Sequence, residues 1–251
     1  MSAPAQQSRK YPGWLLLLAV IGVVVYRMSV AGTPRVPVRF ARGLPDSCRQ
    51  VLLVLADGEI STTGKLWLLE RKDAVVSWKA AWGPVPVVLG RNGLAWGAGE
   101  HTASAPAGFR IKKEGDGCSP AGIFRIPYAF GNASAAPGLR LKYLPITSTL
   151  AGVDDPKSRH YNEVVDSDSV ERDWAGSETM SEIGSYRWGA FVAHNPAKVP
   201  GAGSCIFLHV WSGPGQPTAG CTAMREEDLI RVLNWIDPAR EPRLVQGLAS
   251  W

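Results

Sequence analysis

The apolar residues of this chain come in short runs, and glycine, proline or an Asp-Gly pair separates most of them. VLLVLAD (51–57), KLWLLE (65–70), AVVSWKAAW (74–82) and PVPVVLG (84–90) succeed one another in this way. An amphipathic helix needs about ten residues free of such breaks, whereas a strand needs only about four to eight. With 27 glycines and 19 prolines in 251 residues, runs of Val, Leu and Trp read as strands, and the predicted class is mainly β. Asp57-Gly58 and Thr63-Gly64 stand where hairpin turns are expected, which makes this half an antiparallel meander. WGAFVAH (188–194) and SCIFLHVW (204–211) read as two core strands. Arg225–Ile236 is the one convincing late helix, because Leu229, Val232, Leu233 and Ile236 fall on one stripe.

The N-terminus reads differently. Trp14 to Tyr26 is thirteen residues without a charge, preceded by Arg9 and Lys10 and followed by Arg27. At a helical rise it covers ~20 Å of an apolar core about 30 Å thick, which fits a secretory signal better than an upright span. Residues 1–31 are therefore expected to be a signal peptide or a membrane anchor that contacts the membrane at least transiently. Ser29-Val30-Ala31 offers a cleavage site before Gly32. Export to a bacterial periplasm or envelope follows. Residues 32–46, rich in Pro and Arg and without a period, read as a tether, and residues 47–251 as one folded domain.

With Arg9, Lys10 and Arg27 set aside, 24 basic residues face 22 acidic ones. So slight a balance is no footprint for nucleic acid. The four histidines, His101, His160, His194 and His209, are far apart, and neither H-E-x-x-H nor C-x-x-C occurs, so neither a metal nor an organic cofactor is expected. Gly58–Lys65 lacks the spacing and the Ser/Thr of a phosphate loop, and no G-x-S-x-G elbow is present. In an oxidising compartment Cys48, Cys118, Cys205 and Cys221 invite pairing, and their spacing does not say which. Residues 129–160 are rich in Gly, Ala and Pro, and 161–185 are polar and acidic. Long connections of this kind are usually functional or lids. Oligomeric state leaves no trace in the sequence.

Gly203–Met224, GSCIFLHVWSGPGQPTAGCTAM, is the most informative segment. A strand carrying His209 runs into a Gly/Pro loop that returns at Thr218-Ala219-Gly220-Cys221, just before the helix. Such a loop can bring residues twelve apart together. An imidazole that takes the thiol proton makes a nucleophile of cysteine, and backbone N–H groups near Gly220 suit an oxyanion. The plainer alternatives are a buried or disulfide-bonded Cys221 and a core His209.

These residues resemble the L,D-transpeptidase (YkuD-type) peptidoglycan enzymes, which carry a strand His, a Gly-rich return and a Ser/Thr-x-Gly-Cys nucleophile segment. Leu89–Gly93, Glu114–Phe124 and Val153–Pro156 with Tyr161-Asn162 add further likeness, and the whole covers roughly residues 50–240. The chain departs from many members in having Ala219 before the Gly-Cys pair and Ala223 two residues after the cysteine. The resemblance implies an L,D-transpeptidase-like β-sandwich or mixed sheet, with Cys221 as nucleophile, His209 as general base and acid, and the Val210 carbonyl orienting the imidazole. It implies peptidoglycan stem peptides as partners. The enzyme would cleave an L to D peptide bond through a thioester and pass the acyl group to an amine. Water as acceptor would make it a carboxypeptidase, and loss of turnover would leave a peptidoglycan-binding module. Tyr161, Asn162, Asp116 and Thr218 are the candidate substrate contacts, and Asn195 beside His194 is a candidate support for the site.

Overall fold

The Val, Leu and Trp runs do form strands, and their alternation of buried and outward side chains builds one large sheet. The computed structural model describes residues 34–135 and 138–251. The apolar run Trp14–Tyr26 and the expected signal or anchor, residues 1–31, lie outside the described residues. A meander opens the sheet, with β1 (Gln50–Ala56), β2 (Thr63–Glu70) and β3 (Lys79–Val88) paired antiparallel. Then come β4 (Leu94–Trp96), β5 (Ser119–Phe124), β6 (Ala129–Gly131), β7 (Tyr143–Pro145) and β8 (Leu150–Val153). The rest are β9 (Glu163–Asp166), β10 (Glu178–Thr179), β11 (Gly189–Phe191), β12 (Phe207–Val210), β13 (Thr222–Met224) and β14 (Arg243–Leu248).

Eleven strands form a mixed sheet in the order β4-β5-β14-β1-β2-β3-β13-β12-β11-β6-β7, and β10-β8-β9 form a second, small one. The protein is mainly β. Helix α2 (Glu226–Trp235) covers one face with Leu229, Val232 and Leu233, packed in a core with Leu208, Met224 and Ala190. Successive residues of a strand point to opposite faces, so Phe207 and Cys221 pack on the other side with Phe130, Tyr186 and Phe191.

Three sequence expectations need correction. Thr63-Gly64 is not a turn: it opens β2 and pairs with Val87 and Val88. The runs 74–82 and 84–90 are not two strands, since β3 runs from Lys79 through Gly83-Pro84 to Val88, and the register shifts opposite Leu66–Leu69 take up the irregularity. Nor is 32–46 a free tether throughout. Helix α1 (Val38–Ala41) docks Phe40, fully buried, between Trp96 and Trp251 at ring separations of 5.6 Å each, and Val36 and Leu44 join the same cluster. Three apolar side chains spaced four apart outweigh the Pro/Arg composition of this segment. The described residues of the long connection after Gly131 supply the small sheet.

The loop from β11 to β12 is held from inside by His194. Its Nδ1 accepts from the Ala98 N–H at 3.3 Å, and its Nε2 donates to the Ala202 carbonyl at 2.9 Å. Burial lowers its pKa from 6.5 to about 4, because a second ring proton would be desolvated, and the Lys112 charge acts in the same sense. Between these two values the unfolded chain binds a proton that the folded one refuses, so stability is full above 6.5 and falls as the pH drops toward 4.

Replacing Phe40 with Ala is expected to lower the free energy of unfolding by about 3–5 kcal/mol, where a tether residue would change nothing in a denaturant titration. Between pH 6.5 and 4 the wild type should lose about 3 kcal/mol more than His194→Gln, measured as unfolding midpoints across that range.

Candidate active site

Strands β12 and β13 run parallel in the register Leu208 to Thr222, His209 to Ala223. Cys221, one residue ahead of β13, therefore lies on the face of the sheet shared by Phe207, His209 and Ala223. The Phe207 N–H donates to Cys221 Sγ at 3.3 Å, and Cys221 and His209 border one cavity of about 160 Å³. Cys221 is 9% exposed. The eleven-residue return loop 211–221 makes the juxtaposition.

The His209 ring is fixed at both ends. Its Nδ1 donates to the Val210 carbonyl at 2.8 Å, and Tyr186 packs edge-on against it at 5.5 Å. Nε2 makes no hydrogen bond among the described residues and is left with its lone pair. Burial lowers the imidazole pKa, with the Val210 contact acting in the opposite sense. Burial also pushes the Cys221 thiol up to about 12, and the Glu178 carboxylate adds to the rise. Both shifts favour the neutral thiol and the neutral imidazole.

The return segment is clamped through one carbonyl. Thr218 Oγ1 and Ser119 Oγ both donate to Cys221 O, at 2.6 and 2.9 Å, and Ser119 Oγ accepts from Gly90 N at 2.9 Å. Gly220 has φ of 156°, and a Cβ there would stand 3.1 Å from the Cys118 carbonyl. This joins the Leu89–Gly93 and Glu114–Phe124 stretches to the nucleophile segment.

Of the other expected site residues, Thr218 lines the cavity but spends its hydroxyl on Cys221 O and on the Gly220 N–H. That contact turns Gly220 N–H away from a free oxyanion role in the resting state. Tyr161 and Asn162 are buried and are not open substrate contacts. Tyr161 donates to Glu114 and accepts from Gly203 N, while Asn162 staples His194 O and Asn195 O to Cys205 N. Asn195 bonds Val199 O and Gly203 O within its own turn. Asp116 closes the 113–118 turn by accepting from Lys112, Lys113 N and Cys118 N. All four cysteines are free and buried.

Sequence reasoning missed Glu178 and Tyr186. Tyr186 donates to Glu178 at 2.8 Å, and both border the cavity of Cys221 and His209. Neither carries a local motif; β10 and the short helical turn after it bring them in from the polar stretch 161–185 and its edge.

A mainly β domain that presents a thiol and an imidazole from neighbouring strands to one crevice defines a candidate cysteine-dependent acyl-transfer site. The family description "YkuD: L,D-transpeptidase catalytic domain" matches residues 57–245. The chain belongs to the YkuD L,D-transpeptidase family, which acts on peptidoglycan peptides. No curated protein and no solved structure gives a significant match.

Glu178→Gln keeps an acceptor for Tyr186 but removes the charge that opposes the thiolate. Iodoacetamide should then alkylate Cys221 several-fold faster near pH 9, as followed by peptide mass spectrometry; an unchanged rate would show that burial alone sets the thiol.

Proposed function

We propose that this protein is an exported, cysteine-dependent peptidoglycan L,D-transpeptidase. The single observation that carries the reading is the His209 imidazole, anchored through Nδ1 on Val210 O with Nε2 unengaged, bordering the same cavity as Cys221. A backbone carbonyl orients the base, so no carboxylate is needed behind it.

Cys221 Sγ attacks the carbonyl of the L to D bond of a stem peptide while its proton passes to His209 Nε2. The neutral resting pair suits this order, since neither reacting group carries a charge before substrate arrives. The oxyanion forms near the 218–221 segment, where Gly220 N–H becomes a donor once it gives up Thr218 Oγ1. His209 then protonates the nitrogen of the departing D-amino acid, and a thioester remains on Cys221. The amine of a second stem attacks that thioester, His209 accepts its proton, and the proton returns to sulfur as the cross-link forms. The charge-free run Trp14–Tyr26, flanked by cations, supports export, and the segment would bring the domain to the envelope, where this substrate lies.

Purified muropeptides incubated with the full chain test the proposal. Wild type should form cross-linked products and take a covalent mass gain on Cys221 from a carbapenem. Cys221→Ala should abolish both, and His209→Ala should slow transfer by about 10²–10⁴-fold. Hydrolysis alone in the presence of amines would identify a carboxypeptidase, and muropeptide binding without turnover would identify a binding module.

A further inference from the structure

Cys221 borders a second cavity of about 170 Å³, which includes Arg91, Lys112, Glu114, Asp154 and Glu178 but not His209. Its charged groups are unequally engaged. Lys112 Nζ is 2.5 Å from Asp116 Oδ1 and donates to Lys113 O. Glu114 accepts from the Tyr161 and Ser204 hydroxyls, and Glu178 from Tyr186. Arg91 and Asp154, by contrast, form no ion pair and no side-chain hydrogen bond among the described residues, which makes Arg91 the unengaged cation of the cavity.

An unpaired surface arginine is ordinary by itself; the placement of this one is not. Its N–H donates to Thr218 O at 2.9 Å, and Gly90 bridges to Thr218, so its backbone is tied to the segment that ends in Cys221. Asn92, the next residue, is held by Gly117 O and Asp116 O. The Arg91 side chain crosses Gly117, where a Cβ would come within 3.0 Å of both its Cγ and its Nε. The backbone is therefore positioned by the 218–221 segment, the stem is accommodated by a glycine, and the guanidinium is unclaimed at a cavity that Cys221 also borders. A guanidinium matches a carboxylate through two parallel N–H bonds. Lys112 is already neutralised and the remaining charges of the cavity are acidic, which leaves Arg91 as the group that can admit an anion there.

We propose that Arg91 recognises the free α-carboxylate of a D-amino acid unit reacting at Cys221, an inference that rests on the acyl-transfer reading. That carboxylate belongs either to the terminal residue leaving the donor stem or to the carbon bearing the attacking amine of the acceptor. The contact makes the site selective for units whose carboxylate is unblocked.

The test uses the full chain as wild type, Arg91→Gln and Arg91→Lys. In one arm the donor is a stem tetrapeptide ending in D-alanine, compared with its C-terminal amide. In the other the acceptor is D-alanine, compared with D-alaninamide. Wild type should favour the acid over the amide by about fivefold in kcat/KM, the scale of a solvent-accessible ion pair. Arg91→Gln should erase that preference, chiefly through KM, and Arg91→Lys should retain part of it. The arm in which the preference disappears identifies which carboxylate is bound. Because the acid-to-amide ratio is internal to each variant, loss of folded protein does not mimic the effect. Equal ratios in wild type and Arg91→Gln on both arms overturn the role of Arg91 while leaving the acyl-transfer reading intact. Failure of wild type to release or join any D-amino acid, acid or amide, overturns both.

Discussion

The parallel pairing of β12 with β13 is the constraint on which the site depends. Residues paired across parallel strands point to the same face, so the register that sets His209 beside Ala223 also sets Phe207 beside Cys221. A slip of one residue would turn the sulfur into the α2 core and leave the imidazole facing nothing. The register is secured from both sides. Leu208, Met224 and the α2 residues fill one face, while Phe130, Tyr186 and Phe207 fill the other. Ser119 and Thr218 then fix the last carbonyl before β13.

Burial decides the electrostatics of the pair. It raises the thiol and lowers the imidazole, and both effects favour neutral groups. The Glu178 carboxylate adds to the rise of the thiol and is itself raised by burial, with the Tyr186 hydroxyl pulling the other way. A preformed thiolate-imidazolium pair would be desolvated on both members, with the Glu178 carboxylate opposing the thiolate. A crevice of this kind favours the neutral thiol.

Much of the site was legible in the chain, for specific reasons. His209 and Cys221 stand out because a Gly/Pro loop separates a strand from a helix over a span short enough to bring its ends together. Tyr161, Asn162 and Asp116 were legible as members of conspicuous polar stretches, but composition does not distinguish a side chain that faces substrate from one that braces backbone. Their hydrogen bonds go to Glu114, to the 194–205 loop and to the 113–118 turn. Glu178 and Tyr186 were illegible, because residues that reach a site from a separate small sheet leave no spacing to read. Phe40 was hidden by its Pro/Arg neighbours, although Val36, Phe40 and Leu44 recur at a helical interval.

The sequence by itself determined the mainly β class and the strand, loop and helix of the 203–236 region, and it made His209 and Cys221 candidates to meet, because those properties follow from local periodicity and from residues close along the chain. The tertiary structure alone decided which hydroxyls hold the Cys221 carbonyl, which carboxylate acts on the Cys221 thiol, and which arginine borders a cavity with Cys221 unpaired. Those depend on contacts between segments tens of residues apart, and long-range register is set by the packing of whole faces, which no short window of sequence contains.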